Sequence, residues 1–358
     1  MDKFKKIGLT ALGTSLVAGS AFAADATVTG NAGYTWSSEE VGTSTTDGIG
    51  FENDMKMVIS GELDNGWSVT GSMLLAEDAS LSSSWTSLTM GSMGSIVVGN
   101  GYGGLGANHD DATPRAYEEN HDGMKTATAI DSIGSAMDNG QILYTSPSFD
   151  IMGASVSFGA EYAPEASDTA ISDGGVSTSS NLWSSGKGAQ VNVAYGGLSW
   201  GAYVNERTKD SANSVTDGDA SDATWHASYT TGPVSFGYQV GMVERGITGA
   251  AAANNSSAKT VTEANGNFDI EKMSIAFNVN DNFSVSWGEL TETYDEQGGG
   301  GAGTTAVPDV DMSSTSIQFS YTMGSMTIAG YQTDTDNPGW DSDAKSDTVN
   351  EIAINFAF

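Results

Sequence analysis

The segment 101–138 carries most of the side chains whose type and spacing could do chemistry. Seven of its residues are acidic and two are basic. Carboxylates at this density attract cations, and their oxygen atoms are also the ligands that Ca²⁺ prefers. Six charged residues of the segment are candidate functional residues: Asp110, Asp111, Arg115, Glu118, Glu119 and Asp122.

A repeated triplet raises the question of a calcium site. The sequence Asn-His-Asp at 108–110 recurs at 120–122, so Asp110, Asp111 and Asp122 could supply oxygen ligands. Neither copy has the Gly and Glu spacing of an EF-hand loop. The sequence therefore predicts no resident cofactor, and polar loop content is the simpler interpretation of the triplets.

Catalytic chemistry has few candidate residues in this chain. There is no Cys and there are three His, which excludes a thiol nucleophile and a Cys-ligated zinc site. Neither a G-x-S-x-G nor an H-E-x-x-H pattern occurs. A G-x-G-x-x-G match at 99–104 is followed by no helical pattern, which a dinucleotide site requires. We therefore predict that the protein is not an enzyme.

Charge and composition restrict the other functions. The 358 residues include 45 acidic and 13 basic side chains, a formal net charge of −32, and 46 glycines. Nucleic acids are recognised by clustered Lys and Arg, which this chain lacks, so we predict no nucleic-acid partner. Apolar residues still make up 38% of the chain, enough to argue against charge-driven disorder.

The amino-terminal residues have the pattern of a secretory signal peptide. Several lysines precede an apolar stretch, and small residues then mark a cleavage site between Ala23 and Ala24. A membrane anchor is the alternative, but the apolar stretch is too short for a spanning helix. We therefore predict export, with a signal peptide over 1–23 and one mature domain over 24–358.

Beyond residue 24, apolar and polar residues alternate, which is typical of half-buried β-strands. Sixteen segments show the pattern: 27–37, 51–61, 67–76, 84–90, 95–100, 139–146, 151–162, 188–195, 199–206, 223–230, 233–244, 268–279, 283–292, 312–321, 326–333 and 347–358. Tight turns such as 146–150 alternate along the chain with longer polar loops, the first of them 38–50. Because antiparallel strands reverse direction, all tight turns fall at one end and all long loops at the other.

This pattern predicts an all-β fold, a sixteen-stranded antiparallel transmembrane β-barrel with short periplasmic turns and long outer loops. An even number of strands closes without free edges, so strand 27–37 should pair with strand 347–358. A soluble β-sandwich also alternates, but its second face is not expected to be uniformly small and polar. Alternation places six titratable residues on the inner face: Asp54, Lys56, Glu161, His226, Lys272 and Glu351.

Three short motifs resemble those of Gram-negative general porins of the alphaproteobacterial type. They are SLTMG at 87–91 followed by GSIVVG at 94–99, YTSP at 144–147 ahead of a strand ending in YAPE at 162–165, and the closing Phe358. The resemblance implies a water-filled, usually homotrimeric channel in outer-membrane lipid, with the third outer loop, 101–138, folded inward as a constriction. It also implies that the barrel assembly machinery reads Phe358.

These observations together predict passive diffusion of small hydrophilic solutes and ions. The segment 101–138 has a net charge of −5 and the strands offer few bases, so we expect a preference for cations. Two alternatives stay open, a non-conducting surface or structural β-protein and a substrate-specific channel. The second would show an aromatic track in the lumen, where Tyr203 is the only clear aromatic residue predicted by alternation.

Overall fold

The computed structural model describes most of the chain after the predicted signal peptide. The described ranges are 25–76, 80–124, 128–137, 139–166, 183–209, 218–245, 267–295 and 309–358. Within them, no helix is long and apolar enough to cross a membrane. Ala23 and Ala24 lie outside the described residues, so the cleavage site stays a prediction.

One antiparallel sheet contains all the strands of the described residues. The strands are β1 (Asp25–Val41), β2 (Ser44–Glu62), β3 (Ser68–Leu75), β4 (Leu81–Thr89), β5 (Ser95–Asn100), β6 (Gln141–Thr145), β7 (Phe149–Ile151), β8 (Ala154–Ala163), β9 (Trp183–Tyr195), β10 (Leu198–Lys209), β11 (Ala220–Thr231), β12 (Val234–Glu244), β13 (Asn267–Asn280), β14 (Phe283–Asp295), β15 (Val310–Met323), β16 (Met326–Asp336) and β17 (Asp347–Ala357). Short 3-10 helices cover Gly91–Met93, Gly106–Asn108, Ile130–Ser132, Ser135–Met137 and Pro338–Trp340. Because β6 and β7 both pair with β8, they form one interrupted strand, and the predicted sixteen-stranded antiparallel barrel is confirmed.

The barrel closes between its first and last strands. β1 pairs with β17 from Asn31 opposite Ala357 to Val41 opposite Asp347, which confirms the predicted pairing. The terminal residue extends this seam, because the N–H of Phe358 donates to the carbonyl of Gly30 at 2.8 Å and the Gly30 N–H donates back at 3.1 Å. A wall that faces hydrocarbon requires such closure, since an unpaired peptide group has no water there to bind.

The first outer connection is far shorter than predicted. The polar segment 38–50 extends β1 and β2 instead of forming a loop, and the strands meet at a two-residue turn at Gly42, whose φ is 61°. Its Thr residues favour extended backbone, which is compatible with longer strands in place of the predicted loop. The predicted strict alternation of short turns and long loops is therefore wrong at this position.

The predicted tight turn at 146–150 is also wrong. Pro147 lies between β6 and β7, where pairing with β8 is interrupted, but the chain continues in the same direction to Ile151 and reverses at Met152 and Gly153. Both turn residues have positive φ, 55° and 86°, as a two-residue hairpin of type I′ requires. Met is rare in this conformation, so the turn has only half of the usual Asn-Gly signature.

An apolar cluster inside the barrel departs from the predicted small and polar inner face. It joins inward side chains of the wall to residues of the segment between β5 and β6 and to Trp340: Val97, Leu105, Ala129, Ile130, Ile133, Leu143, Tyr203, Val243, Phe268, Ile270, Leu290, Tyr294, Met312 and Trp340. Tyr203 is therefore one of several inward aromatic residues. These rings are covered by other side chains, so they do not form an exposed aromatic track.

The hairpin at Met152 and Gly153 can be tested by a matched pair of substitutions. Met152→Asn should stabilise the barrel by about 1 kcal/mol, because Asn tolerates positive φ better than Met. Gly153→Ala should destabilise it by about 1–2 kcal/mol for the opposite reason. Urea unfolding in lipid vesicles measures both, and equal effects of the two variants would contradict the assigned turn.

Candidate functional site

Strand register aligns inward side chains into straight rows across the wall. His226 on β11, Gln239 on β12 and Lys272 on β13 lie directly opposite one another. The next row toward the short turns contains Gly237, Ser274, Gly288, Ser316 and Thr333. A third row contains Ser286, Gln318, Tyr331 and Glu351. The segment 101–140 between β5 and β6, here the inward loop, lies across these rows.

The first row binds the start of the inward loop through hydrogen bonds. His109 Nδ1 lies 3.1 Å from His226 Nε2, and the His109 side chain is fully buried. Gln239 Nε2 donates to the carbonyl oxygens of His109 and Asp110 at 2.6 and 2.9 Å, and Gln239 Oε1 accepts the N–H of Ala112 at 3.1 Å. One amide side chain thus satisfies three peptide groups of the loop.

Lys272, the last of the three wall residues named in the first row, forms a buried ion pair with Asp111 of the loop. Lys272 Nζ lies 2.6 Å from Asp111 Oδ1, and neither side chain has exposed surface. Arg115 Nη1 lies 2.9 Å from Asp111 Oδ2 and is one-third exposed. Burial alone would raise the pKa of Asp111, but the two cations lower it below its ordinary value. Lys272 therefore points inward, as alternation predicts, but the loop covers it.

The third row binds the middle of the inward loop. Gln318 Nε2 donates to the carbonyl of Glu118 at 2.8 Å, and its Oε1 accepts the N–H of Tyr117 at 3.1 Å. The Tyr117 hydroxyl donates to Glu351 Oε1 at 3.2 Å. The predicted wall residue Glu351 is thus a partner of the loop rather than an isolated lumen charge.

Small residues in the second row let the loop lie flat against the wall. A Cβ added at Gly237 would meet Pro114, and one added at Gly288 would meet the side chain of Asn120. Between these glycines, Ser274 Oγ donates to the carbonyl of Pro114 at 2.7 Å. The path of the loop therefore follows the positions at which the wall has little side-chain volume.

Wall carboxylates hold the two ends of the inward loop. Glu292 accepts the N–H groups of Ala129 and Ile130 at 2.9 and 2.8 Å. Glu161, only 4% exposed, accepts the N–H of Leu105 at 2.8 Å. Glu161 thus lies on the inner face, as predicted, but it is bound to the loop.

His121 is a charged centre within the inward loop. Its Nε2 lies 2.7 Å from Asp131 Oδ1 and 3.2 Å from Glu119 Oε2. Burial alone would lower the pKa of His121, but hydrogen bonds to these two carboxylates raise it to about 9. His121 is therefore a cation at neutral pH, and the loop is one unit less negative than its acids and basic residues alone indicate.

Two half-buried acids of the loop titrate near neutrality. Burial raises the pKa of Asp110 to about 6, and repulsion from Glu119 and Asp111 adds to the effect. Burial, followed by repulsion from Asp122, raises the pKa of Glu118 to about 7. Asp122 itself accepts the N–H of Glu119 through Oδ2 at 3.0 Å. The negative charge of the loop therefore depends on pH over the physiological range.

The opposite side of the lumen carries the remaining predicted wall residues. Asp54 is half-buried and Lys56 is exposed on the inner face of β2. Apart from Asn100 of β5, which accepts the N–H of Gly140 at 3.2 Å, the wall side chains that hold the described part of the inward loop lie on β8 to β17. Lys56 thus lies on a strand that supplies none of these contacts.

Of the three loop residues that converge, Asp111 alone is among the predicted calcium ligands. One ligand atom each from Asp111, Glu119 and His121 lies within 4.8 Å of the others. Both oxygens of Asp111 already face cationic nitrogen atoms, and His121 is itself charged. This donor set fits ion pairs within the protein and does not fit Ca²⁺, which prefers uncompensated oxygen ligands.

Sequence reasoning missed several residues that fix the loop. They are His109, His121, Gln239, Glu292 and Gln318. A signal was present for three of them, because Gln239, Glu292 and Gln318 are long polar side chains at positions that alternation places on the inner face. The repeated Asn-His-Asp triplets contain the two histidines, but the triplets did not indicate the contacts of His109 and His121, which depend on the folded path of the loop.

Comparisons with known proteins agree on the type of barrel. A family model described as Gram-negative porin matches residues 8–283. The anion-selective porin from Comamonas acidovorans has a TM-score of 0.65 at 12% identity, covering 94% of this chain and 100% of that one. Salmonella typhi OmpF in complex with daunomycin has a TM-score of 0.66 at 14% identity, covering 93% and 97%. The trimer form of Vibrio cholerae OmpT has a TM-score of 0.56 at 12% identity, covering 93% and 99%. No curated protein matches by sequence.

The buried ion pair predicts how the loop responds to substitution. Lys272→Met leaves Asp111 buried with Arg115 alone, so hydrogen exchange of residues 109–116 should accelerate by about tenfold or more. The double variant Lys272→Met/Asp111→Leu should return close to the wild-type rate, because no buried charge is left without a partner.

Lys56→Met is the matched control, since this lysine is exposed on β2 away from the loop. It should leave exchange in residues 109–116 unchanged. Wild-type exchange in Lys272→Met, or faster exchange in the double variant than in the single one, would contradict the role of the pair.

Proposed function

Because this chain belongs to the Gram-negative porin family and is an outer-membrane channel rather than an enzyme, we propose that small hydrophilic solutes and ions diffuse passively through it, with cations preferred. The proposed path runs between the inward loop and the inner face of β1 to β3. Selection in such a path is geometric and electrostatic, since the loop narrows the lumen and its charges bias which ions enter.

The carrying observation is that, among the described residues, Lys272 and Arg207 are buried and each is paired with a buried acid, whereas some acids of the loop stay partly exposed. Lys272 is covered by its pairing with Asp111, and Arg207 is 4% exposed beside Asp222, 3.1 Å from its Oδ1. Glu118, by contrast, remains half-buried on the loop. Burial is the main cause of its raised pKa, and repulsion from Asp122 and Glu351 outweighs the opposing effect of Arg115. A cation that enters the lumen meets this negative potential directly.

The proposed ion selectivity is not inferred from the structures that resemble this chain. The Comamonas acidovorans porin is described as anion-selective, yet its 12% identity relates only the fold of the two chains. The sign of the preference depends on which charges face the lumen, so the proposal is based on the residues of this chain. Lys56 and Arg115 oppose the preference, because they are the bases with exposed surface at the inner wall and the loop.

Export and assembly complete the proposal. The signal peptide over 1–23 would direct export and be removed between Ala23 and Ala24. We propose a homotrimer, which the trimer form of OmpT supports by analogy of fold. The small residues Ala26, Gly30 and Ala32 on the outer face of β1 would allow close approach between copies.

Reversal potentials in planar bilayers test the channel and its selectivity together. A KCl gradient near about 0.1 M, where the Debye length is about 10 Å, should give a cation preference. The preference should weaken as the pH falls from about 8 to about 5, because Asp110 and Glu118 then take up protons and lose charge.

Two variants sharpen this measurement. Glu118→Gln should flatten the pH dependence, and Lys56→Gln should increase the preference for cations because it removes an opposing exposed charge. An anion preference at low salt would refute the proposed selectivity, and absence of any conductance would refute the channel function.

The proposed role of Phe358 predicts different results in cells and in vitro. Its side chain is 78% exposed, so deleting it removes little packing but takes away the terminal aromatic. Outer-membrane levels should fall in cells, whereas refolding of the purified chain into detergent should proceed. An equal loss in both assays would show that Phe358 acts through stability instead of recognition by the assembly machinery.

A further inference from the structure

The connection between β16 and β17 places a tryptophan inside the barrel through unusual backbone. Asn337 and Trp340 have φ angles of 51° and 54°, and Gly339 between them has a φ of 70°. Positive φ is strained for a bulky residue such as Trp and persists only where the surroundings enforce it. The Trp340 side chain is 1% exposed, so burial of its ring accompanies the strained backbone.

Trp340 packs against aromatic residues of the inner wall. Its ring centroid lies 4.7 Å from that of Phe268 on β13, which lies 5.3 Å from that of Tyr294 on β14. Asn337 Nδ2 donates to the carbonyl of Asp311 on β15 at 2.8 Å and fixes the base of the connection. Phe268 therefore contacts the ring of Trp340, while Asn337 holds the backbone of the connection against β15.

The same apolar cluster contains Ala129, Ile130 and Ile133 from the return half of the inward loop. Ile130 and Ile133 are 0% and 1% exposed members of the cluster to which Trp340 and Phe268 belong. The wall carboxylate that accepts the Ile130 N–H is Glu292, two residues from Tyr294 on the same inner face of β14. The connection between β16 and β17 and the inward loop therefore share one apolar core inside the barrel.

We propose that Trp340 is a positioning residue of the channel, which holds residues 129–133 of the inward loop against β13 and β14. The inference deepens the proposed function, because that loop narrows the proposed path. Trp340 acts through its ring alone, since its buried Nε1 has no hydrogen-bond partner among the described residues. A phenylalanine at this position, whose ring has no nitrogen, should therefore perform the same role.

The experiment compares the full-length wild-type protein with Trp340→Ala and Trp340→Phe in lipid bilayers. Trp340→Ala should speed hydrogen exchange of residues 129–133 by about tenfold or more, while exchange in β1 and β2 stays unchanged. Its single-channel current should become noisier and its conductance should change. Trp340→Phe should stay within about twofold of wild-type exchange, since an aromatic ring keeps most of the packing.

Trp225→Ala is the matched control, because Trp225 is a 40% exposed tryptophan on the outer face of β11. It should leave exchange at 129–133 and channel noise unchanged. Wild-type behaviour of Trp340→Ala, or equal effects of Trp225→Ala, would overturn the proposal. If Trp340→Ala does not fold, Trp340→Leu takes its place, and exchange no faster than in Trp340→Phe would likewise overturn it.

The result that would refute the positioning role of Trp340 differs from the result that would refute the proposed channel function. A wild-type protein that does not conduct would refute the channel, and the exchange measurements would still decide whether Trp340 positions the loop. A conducting Trp340→Ala variant with wild-type noise and wild-type exchange would refute the positioning role and leave the channel standing.

Discussion

Pairing of backbone N–H and C=O groups is the constraint on which the rest of this structure depends. Hydrocarbon offers no hydrogen-bond partner, so each strand of the wall needs a neighbour on both sides. The pairing of β1 with β17, extended to Phe358 and Gly30, meets that need at the last open edge. Once the wall is closed, its inner face is the surface that can keep polar groups away from lipid.

The same constraint returns inside the barrel, where the inward loop has peptide groups without strand partners. Side chains of the wall take that role, because Gln239 binds three of these groups, Gln318 binds the peptide groups of Tyr117 and Glu118, and Glu292 binds two more N–H groups. Buried peptide groups are almost always paired, so these long polar side chains determine where the loop can lie. Strand register supplies the spacing, since it sets side chains of successive strands opposite one another.

Alternation of apolar and polar residues was sufficient to predict the sixteen strands and their closure, because lipid and lumen impose opposite polarities on neighbouring residues. It failed over 38–50, where polar residues on both faces hide the alternation although the chain stays extended, and at Pro147, which interrupts pairing without reversing the chain. For the site, alternation gave the direction of Lys272 and Glu161 but not their burial. Whether an inward side chain meets water depends on the path of a distant loop, and no local pattern encodes that path.

Burial therefore decides which charges of this protein act on its lumen. Lys272 is paired with Asp111 of the inward loop, and neither side chain has exposed surface from which it could contact an ion in the lumen. Glu118 and Asp110 differ from this pair, because both are only half-buried. Burial and then repulsion from neighbouring acids raise their pKa values to about 7 and 6. A raised pKa means that the ionised carboxylate is costly without a positive neighbour. A mobile cation in the lumen can supply that neighbour, which is the physical basis of the cation preference proposed above.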